Sequence, residues 1–292
     1  EAGVEAAQQV PHGAGMAVQA LRTRPVPGDP GRNGEPARCQ ADRPDKRRVE
    51  AMAAKPVAIV VAVALPSQLS EESLKNLEPS SGDLQLDLVI ALYEGMLAIA
   101  EEFDVAIAGG DTNVHDGPLT ICGTAIGTVE KHGPLLRSAG KTGDRLVVTG
   151  ELGGSLSGHH LDFTPRVEEA LRLRETYELH AGMDISDGLA LDTSRLAAAS
   201  GLGAILDVDR IPISAAAGQL ANPLEHALRD GEDFELLLAV PEKEAVEMTR
   251  DQMLPCGLTV IGELIDGSGL YQRDSTGNVQ ELSAAGWLHG NE

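Results

Sequence analysis

Residues 182–192, Gly-Met-Asp-Ile-Ser-Asp-Gly-Leu-Ala-Leu-Asp, place three carboxylates and a hydroxyl in one short span. Asp184 and Asp187 are spaced i, i+3 across what reads as a loop-to-helix junction. Carboxylates set that way can converge on a hard cation such as Mg2+, which takes oxygen ligands. The same run also reads as an ordinary helix start. Ser186 or Asp187 would serve as N-cap, its oxygen accepting from an unpaired backbone N–H. A cap, however, has no use for Asp184 two residues upstream.

Two further acidic stretches give this one company. Gly109-Gly110-Asp111-Thr112-Asn113 follows the short apolar run Val105–Ala108. Paired glycines let a backbone approach phosphates closely, and Asp111 at a strand's end can hold a metal. Standing alone, the segment is also a good turn. Asp230-Gly231-Glu232-Asp233-Phe234-Glu235 precedes the apolar run Leu236–Val240. Arg137, in Leu136-Arg137-Ser138-Ala139-Gly140, can clamp a phosphate with two parallel bonds, or be a plain surface arginine. Gly140-Lys141-Thr142 is not a Walker A loop, because Leu135 stands where its first glycine is required. His159-His160 has no partner at zinc spacing. Acid-rich loops beside glycines, with no histidine base and no cysteine nucleophile, suit Mg–nucleotide chemistry. Phosphoryl transfer needs positioning and charge neutralisation more than a strong base.

Interleaved strands and helices must position these loops, which makes the fold α/β or α+β. Val57–Leu65 is β-branched and continuous, and reads as a buried strand. Leu84–Phe103 carries Leu88, Leu92, Met96, Ile99 and Phe103 at helical spacing. Strands are expected at Leu119–Val129, Leu146–Thr149, Ala204–Val208, Leu236–Val240, Leu258–Ile261 and Gly269–Gln272. Helices are expected at Val167–Glu178, Leu189–Ser200 and Glu242–Met253, with a short one opening at Ser70-Glu71-Glu72. A second unit is expected to begin near Gly150, giving 51–150 as an N-terminal half and 151–292 as a C-terminal half. Residues 1–50 differ from both: they hold six Pro, six Gly and eight of the 23 Lys and Arg, with no visible period. That composition predicts a disordered or loosely attached arm.

The chain of 292 residues is 42% hydrophobic but only 2% aromatic, so its core must be aliphatic. A net charge of −22 argues against nucleic acid as the main partner, since phosphate backbones need Lys and Arg. It does not argue against nucleotides bridged by Mg2+. Three scattered cysteines, Cys39, Cys122 and Cys256, make no disulfide framework or zinc site and fit a reducing cytoplasm. The longest apolar run, nine residues, is too short to span a bilayer, and residues 1–20 show no secretory pattern.

Taken together, Ile107-Ala108-Gly109-Gly110-Asp111-Thr112, Leu136-Arg137-Ser138-Ala139-Gly140, Met183-Asp184-Ile185-Ser186-Asp187-Gly188-Leu189, Gly231-Glu232-Asp233-Phe234-Glu235-Leu236 and Gly286-Trp287 resemble the thiamine-monophosphate kinase family in order and spacing, over about 51–292. The resemblance implies a two-domain synthetase-like α/β fold, shared with aminoimidazole ribonucleotide and selenophosphate synthetases. It implies an N-terminal half that dimerises, and transfer of the ATP γ-phosphate to thiamine monophosphate with several Mg2+ ions. By the family pattern, Asp111, Asp184 and Asp187 would bind Mg2+. Gly110, Asp111, Arg137, Ser186 and Tyr93 would lie by ATP, and Glu232 and Trp287 would hold thiamine monophosphate. A homodimer in the cytoplasm, with no nucleic acid or membrane, completes the expectation.

The first 50 residues depart from that family. Its opening Gly-Asp-Asp loop and Thr-Thr-Asp stretch are absent, and Arg48 falls where a metal-binding Asp would stand. The abrupt change of composition at 50 suggests that residues 1–49 are a frameshifted, mis-started or decayed end. A chain with that end is expected to have weak or no kinase activity. Two alternatives follow: another ATP-dependent synthetase of the superfamily, or a non-catalytic remnant that only binds a ligand or partner.

Overall fold

The computed structural model describes residues 15–20, 52–69, 81, 83–129 and 131–286. The helix expected at Ser70-Glu71-Glu72, most of the arm 1–50, and Trp287 lie outside the described residues. The chain divides into two compact units. Lys55–Lys131 and the early strand form one, and Glu50–Ala54 with His132–Glu292 form the other. The expected division at 150 therefore moves. Residues 132–150 belong with the second unit, because Arg145–Thr149 is an inner strand of its sheet.

The first unit is a four-stranded sheet in the order β1-β4-β2-β3, with one helix. Its strands are β1 (Gly15–Ala20), β2 (Ala54–Pro66), β3 (Ala106–His115) and β4 (Thr120–Val129), and its helix is α1 (Leu84–Glu102). β1 corrects the expectation of a structureless arm: Gly15–Ala20 runs antiparallel to β4 from Gly15↔Val129 to Ala20↔Thr124. A six-residue strand whose partner lies so far along the chain has no local pattern from which to be read. β2 is a correction too. It is buried on alternate residues only, with Ile59, Val61, Val63 and Leu65 inside and Val57 and Val60 exposed. The inner residues pack with Leu92 and Met96 of α1 into this unit's core. Asp83 caps α1, accepting from the N–H groups of Gln85 and Leu86.

The second unit is a seven-stranded mixed sheet with helices on both faces. Its strands are β5 (Arg145–Thr149), β6 (Ala181–Asp184), β7 (Gly203–Asp207), β8 (Leu236–Val240), β9 (Leu258–Ile265), β10 (Leu270–Arg273) and β11 (Val279–Glu281), in the order β11-β10-β7-β9-β5-β8-β6. Its helices are α2 (Val167–Thr176), α3 (Leu189–Ala199), α4 (Pro223–Arg229) and α5 (Glu242–Asp251). β8 shows why both faces are covered. Leu237 and Ala239 join the core beneath α3 and α4, and Leu236, Leu238 and Val240 join the one beneath α2 and α5. A strand buried on both faces is continuously apolar. Leu237→Ala is expected to cost about 2–5 kcal/mol by leaving a cavity, read as a lower urea midpoint with an unchanged m-value.

Candidate functional site

Sheet geometry gathers the acidic loops of the second unit at one end. β5 and β6 both run antiparallel to β8. The chain therefore leaves β5 at Thr149, leaves β6 at Asp184 and enters β8 at Leu236 on the same side. The loops 150–155, 185–188 and 230–235 meet there, outside the C-terminal ends of two strands, as ligand sites in α/β sheets commonly do. Backbone bonds extend the ladder past the strands: Ile185 N–H to Glu235 O (2.8 Å), Phe234 N–H to Ile185 O (2.9 Å) and Glu232 N–H to Ser186 O (2.8 Å). Met183-Asp184-Ile185-Ser186-Asp187 and Gly231-Glu232-Asp233-Phe234-Glu235, distant in sequence, are thus one hydrogen-bonded surface.

The junction is not capped as the sequence suggested. Gly188 occupies the N-cap position of α3 with φ 106° and no side-chain cap. A Cβ there would meet the Arg229 backbone at 3.1 Å. The cap's work falls to Asp192, one turn into α3 and fully buried, which accepts from the N–H groups of Ser186 (3.0 Å) and Asp187 (2.8 Å). With those amides used, Ser186 can offer a ligand its hydroxyl but not its N–H. Burial pushes Asp192 up to about 6, against the backbone bond from Asp187 that holds it down. Arg195, on the next turn, binds Asp192 (2.8 Å) and Asp187, and joins the two carboxylates through one guanidinium. Asp184 is buried at the end of β6.

Around them the loop 230–235 is built from unusual backbone. Glu232 and Phe234 both have left-handed φ, 54° and 53°, with Gly231 at 71°. For a side-chain-bearing residue that conformation costs energy and persists only where the surroundings enforce it. The Phe234 ring packs on Phe163 with centroids 4.3 Å apart. Glu235 is buried and gripped by two of the three Arg166 nitrogens, Nη2 (2.6 Å) and Nε (2.9 Å), and by Thr149 Oγ1 (2.6 Å). Glu232, like Asp230, is half-buried, whereas Asp233 and Glu235 are buried.

The remaining sequence-predicted residues sit on other elements. Gly110 and Asp111 are not in a turn after a strand, as the glycines suggested. β3 continues through them to His115. Parallel pairing decides this, with Gly110 opposite Val61 and Asp111 opposite Ala62. A Cβ on Gly110 would sit 1.7 Å from the Val61 carbonyl oxygen. Gly110→Val is therefore expected to break the β2–β3 pairing, seen as faster proteolysis within 52–129. Asp111 is exposed and accepts from Asn113 Nδ2 (2.5 Å). Tyr93 packs partly buried against the first unit's core. Arg137 is exposed, and the neighbouring Leu136 carbonyl accepts from Gly182 N–H, on β6 two residues before Asp184. Ser200 Oγ donates to the Arg137 carbonyl (2.9 Å).

The described residues therefore bring Asp184, Ser186, Asp187 and Glu232 together. They hold no convergent group of three or more His, Cys, Asp and Glu side chains that could hold a metal ion. Asp184 and Asp187 are nonetheless the donor chemistry Mg2+ uses, since that ion keeps waters and phosphate oxygens beside one or two carboxylates. Sequence reasoning missed Asp192, Arg195, Asp233 and the Arg166–Glu235 pair as parts of this end of the sheet. The only sequence signal was their nearness to the motifs. A surface pocket lined by His132, Arg174, Tyr177 and His180 holds none of the expected site residues.

Comparison with known proteins bears on these motifs. The family model for the N-terminal domain of AIR synthase related proteins matches residues 48–129, and that for their C-terminal domain matches 141–274. The matched part thus begins where the composition changes. A thiamine-monophosphate kinase of Rhodopirellula baltica is 42% identical over 248 residues, covering 83% of this chain and 72% of that one. The crystal structure of a thiamine-monophosphate kinase from Stenotrophomonas maltophilia superposes with a TM-score of 0.72 at 29% identity, covering 90% of this chain and 87% of that one. AaThiL complexed with AMPPCP and TMP superposes with a TM-score of 0.73 at 22% identity, covering 94% and 86%, which speaks to the fold.

Proposed function

The chain belongs to the thiamine-monophosphate kinase family, and from that membership we propose that it transfers the γ-phosphate of ATP to the phosphate of thiamine monophosphate. The products are ADP and thiamine diphosphate. The observation that carries the reading is the clasp of the Asp184–Gly188 loop on the Gly231–Glu235 loop, which presents Asp184, Ser186, Asp187 and Glu232 together. An oxygen of the substrate phosphate attacks the γ-phosphorus in line as the bond to the β-phosphate oxygen breaks. That oxygen is already ionised at neutral pH, so no side chain need remove a proton. This accords with a site of carboxylates, a serine and glycines.

In this proposal Asp111, Asp184 and Asp187 hold Mg2+, which when bound neutralises phosphate charge. Gly110, Asp111, Arg137, Ser186 and Tyr93 bind ATP, and Glu232 and Trp287 bind thiamine monophosphate. Asp192 fixes the Ser186–Asp187 backbone so that their side chains face the ligands. The chain acts as a homodimer, supported by the apolar side chains Val57 and Val60 left exposed on β2. Cytoplasmic location belongs to the same proposal and is supported by the wide scatter of Cys39, Cys122 and Cys256 along the sequence, which makes no disulfide framework. Among the described residues no helix is long and apolar enough to cross a membrane.

The test is ADP release by the purified chain with Mg–ATP, with and without thiamine monophosphate. Stimulation by thiamine monophosphate supports the kinase. A folded chain that releases no more ADP with it than without overturns the reading.

A further inference from the structure

Asp233 is almost wholly buried, and the reaction as derived gives it no part. Its Oδ1 accepts from Gly153 N–H at 2.8 Å, across 80 residues of sequence. Its Oδ2 is buried with no hydrogen-bond partner among the described residues. We propose that Asp233 is the positioning residue for Glu232: its inward-turned carboxyl pins the 230–235 loop to the 150–155 loop and so fixes where Glu232 meets its ligand. The proposal rests on the kinase reading in one respect, that Glu232 holds thiamine monophosphate.

The geometry argues for a pin. Neighbouring residues on both sides, Glu232 and Phe234, have left-handed backbone, so the loop does not hold its shape by local preference. Two more bonds tie the same pair of loops: Gly154 N–H to Asp230 Oδ2 (3.0 Å) and Ser155 Oγ to the Gly231 carbonyl (2.5 Å). Asp230 also meets His226 of α4, and Ser155 accepts from or donates to nothing on Glu232 itself. Of the three contacts, the one through Asp233 is made by an almost wholly buried side chain on the residue directly after Glu232.

The charges facing it say which form does the pinning. Asp230 and Glu235 flank it on its own loop, the latter already held by Arg166. Asp192 faces it from α3. Burial foremost, with these three carboxylates adding, pushes Asp233 up to about 8, against the Gly153 bond that lowers it. At neutral pH it is therefore a neutral acid. Its folded-state value lies above the unfolded one, so its contribution to stability is complete below about pH 4 and is lost as pH rises through about 8. Above that, an unpaired buried anion among carboxylates loosens the loop and Glu232 with it.

Three chains decide the matter: the parent, Asp233→Asn and Asp233→Ala. In the parent, KM for thiamine monophosphate is expected to rise about tenfold from pH 7 to pH 9, with kcat changing much less. Asp233→Asn keeps an acceptor for Gly153 and cannot ionise, so its rise should stay under about twofold. Asp233→Ala should show a raised KM already at pH 7, about tenfold, with kcat largely kept. Separately, the Tm of the Asn variant should gain on the parent by about 5 °C or more between pH 5 and pH 8. An Asn variant that follows the parent's KM profile, or an Ala variant that loses kcat rather than KM, overturns the positioning role. If the parent shows no turnover that depends on thiamine monophosphate, the kinase reading fails. The Tm comparison then decides alone, a constant difference between the chains overturning the neutral pin.

Discussion

Asp187→Asn is expected to lower thiamine-monophosphate-dependent ADP release about 100-fold or more while leaving the protein folded. The reason lies in which bonds survive the change. Its carboxylate is bound by Arg195, whose side chain is 40% exposed, and a pair so open to water contributes at most about 1 kcal/mol. Arg195 keeps Asp192, and the Asp187 N–H keeps its bond to Asp192, so the loop retains its shape. Asn also has nearly the same volume. What disappears is one negative charge beside the phosphates, where removal of a single well-placed electrostatic contact costs about 100- to 1000-fold. ADP release and Tm measured on one preparation check it. Loss of activity with an unchanged Tm is the expected pair, and full activity in the variant would remove Asp187 from the site.

Arg166→Ala is expected to cost about 3–5 kcal/mol of stability. Glu235 is buried beneath Arg166, which reaches it with two nitrogens in the planar fork that suits a carboxylate. Burial, the largest single influence, would weaken the charge on Arg166. The Glu235 bond and the charges of Glu235 and Glu169 together outweigh it and hold the guanidinium above its ordinary value. Truncation leaves Glu235 with Thr149 alone, a buried charge without a counter-charge. A drop in Tm of roughly 6–20 °C is the measurement. Because Glu235 directly precedes β8 and its carbonyl accepts from Ile185 N–H, the loss should spread to the Asp184–Gly188 loop. Faster amide exchange at Ile185 and Phe234 than elsewhere in the sheet would show that spread.

Most of the architecture was legible because it obeys local periods. Leu236–Val240 and the helix opening at Leu84 emerged at their expected starts. What failed had causes outside the local sequence. β3 runs on through Gly109 and Gly110, residues that locally favour a turn, because β2 supplies a parallel partner. β11 was not expected, since three exposed residues carry no period and exist as a strand only beside β10. At the site, the motifs gave the residue types but not their support. Asp192 stood only as one of three clustered carboxylates, with no role, and proves to hold two backbone amides. Asp233 looked like one acid of a turn and is turned inward. Whether a carboxylate faces a ligand or the backbone depends on φ and on partners scores of residues away. Neither is written in spacing.

The pairing of β1 with β4 has a consequence for how this chain is made. Gly15 and Val129 are joined across about 110 residues, among the longest sequence separations of any strand pair here. On a ribosome adding about 5–20 residues per second, β1 emerges roughly 5–20 s before its partner exists. For that interval the strand lacks the partner it pairs with. β2 and β3, both made before β4, can pair first, and β1 is added last, to the edge that β4 forms.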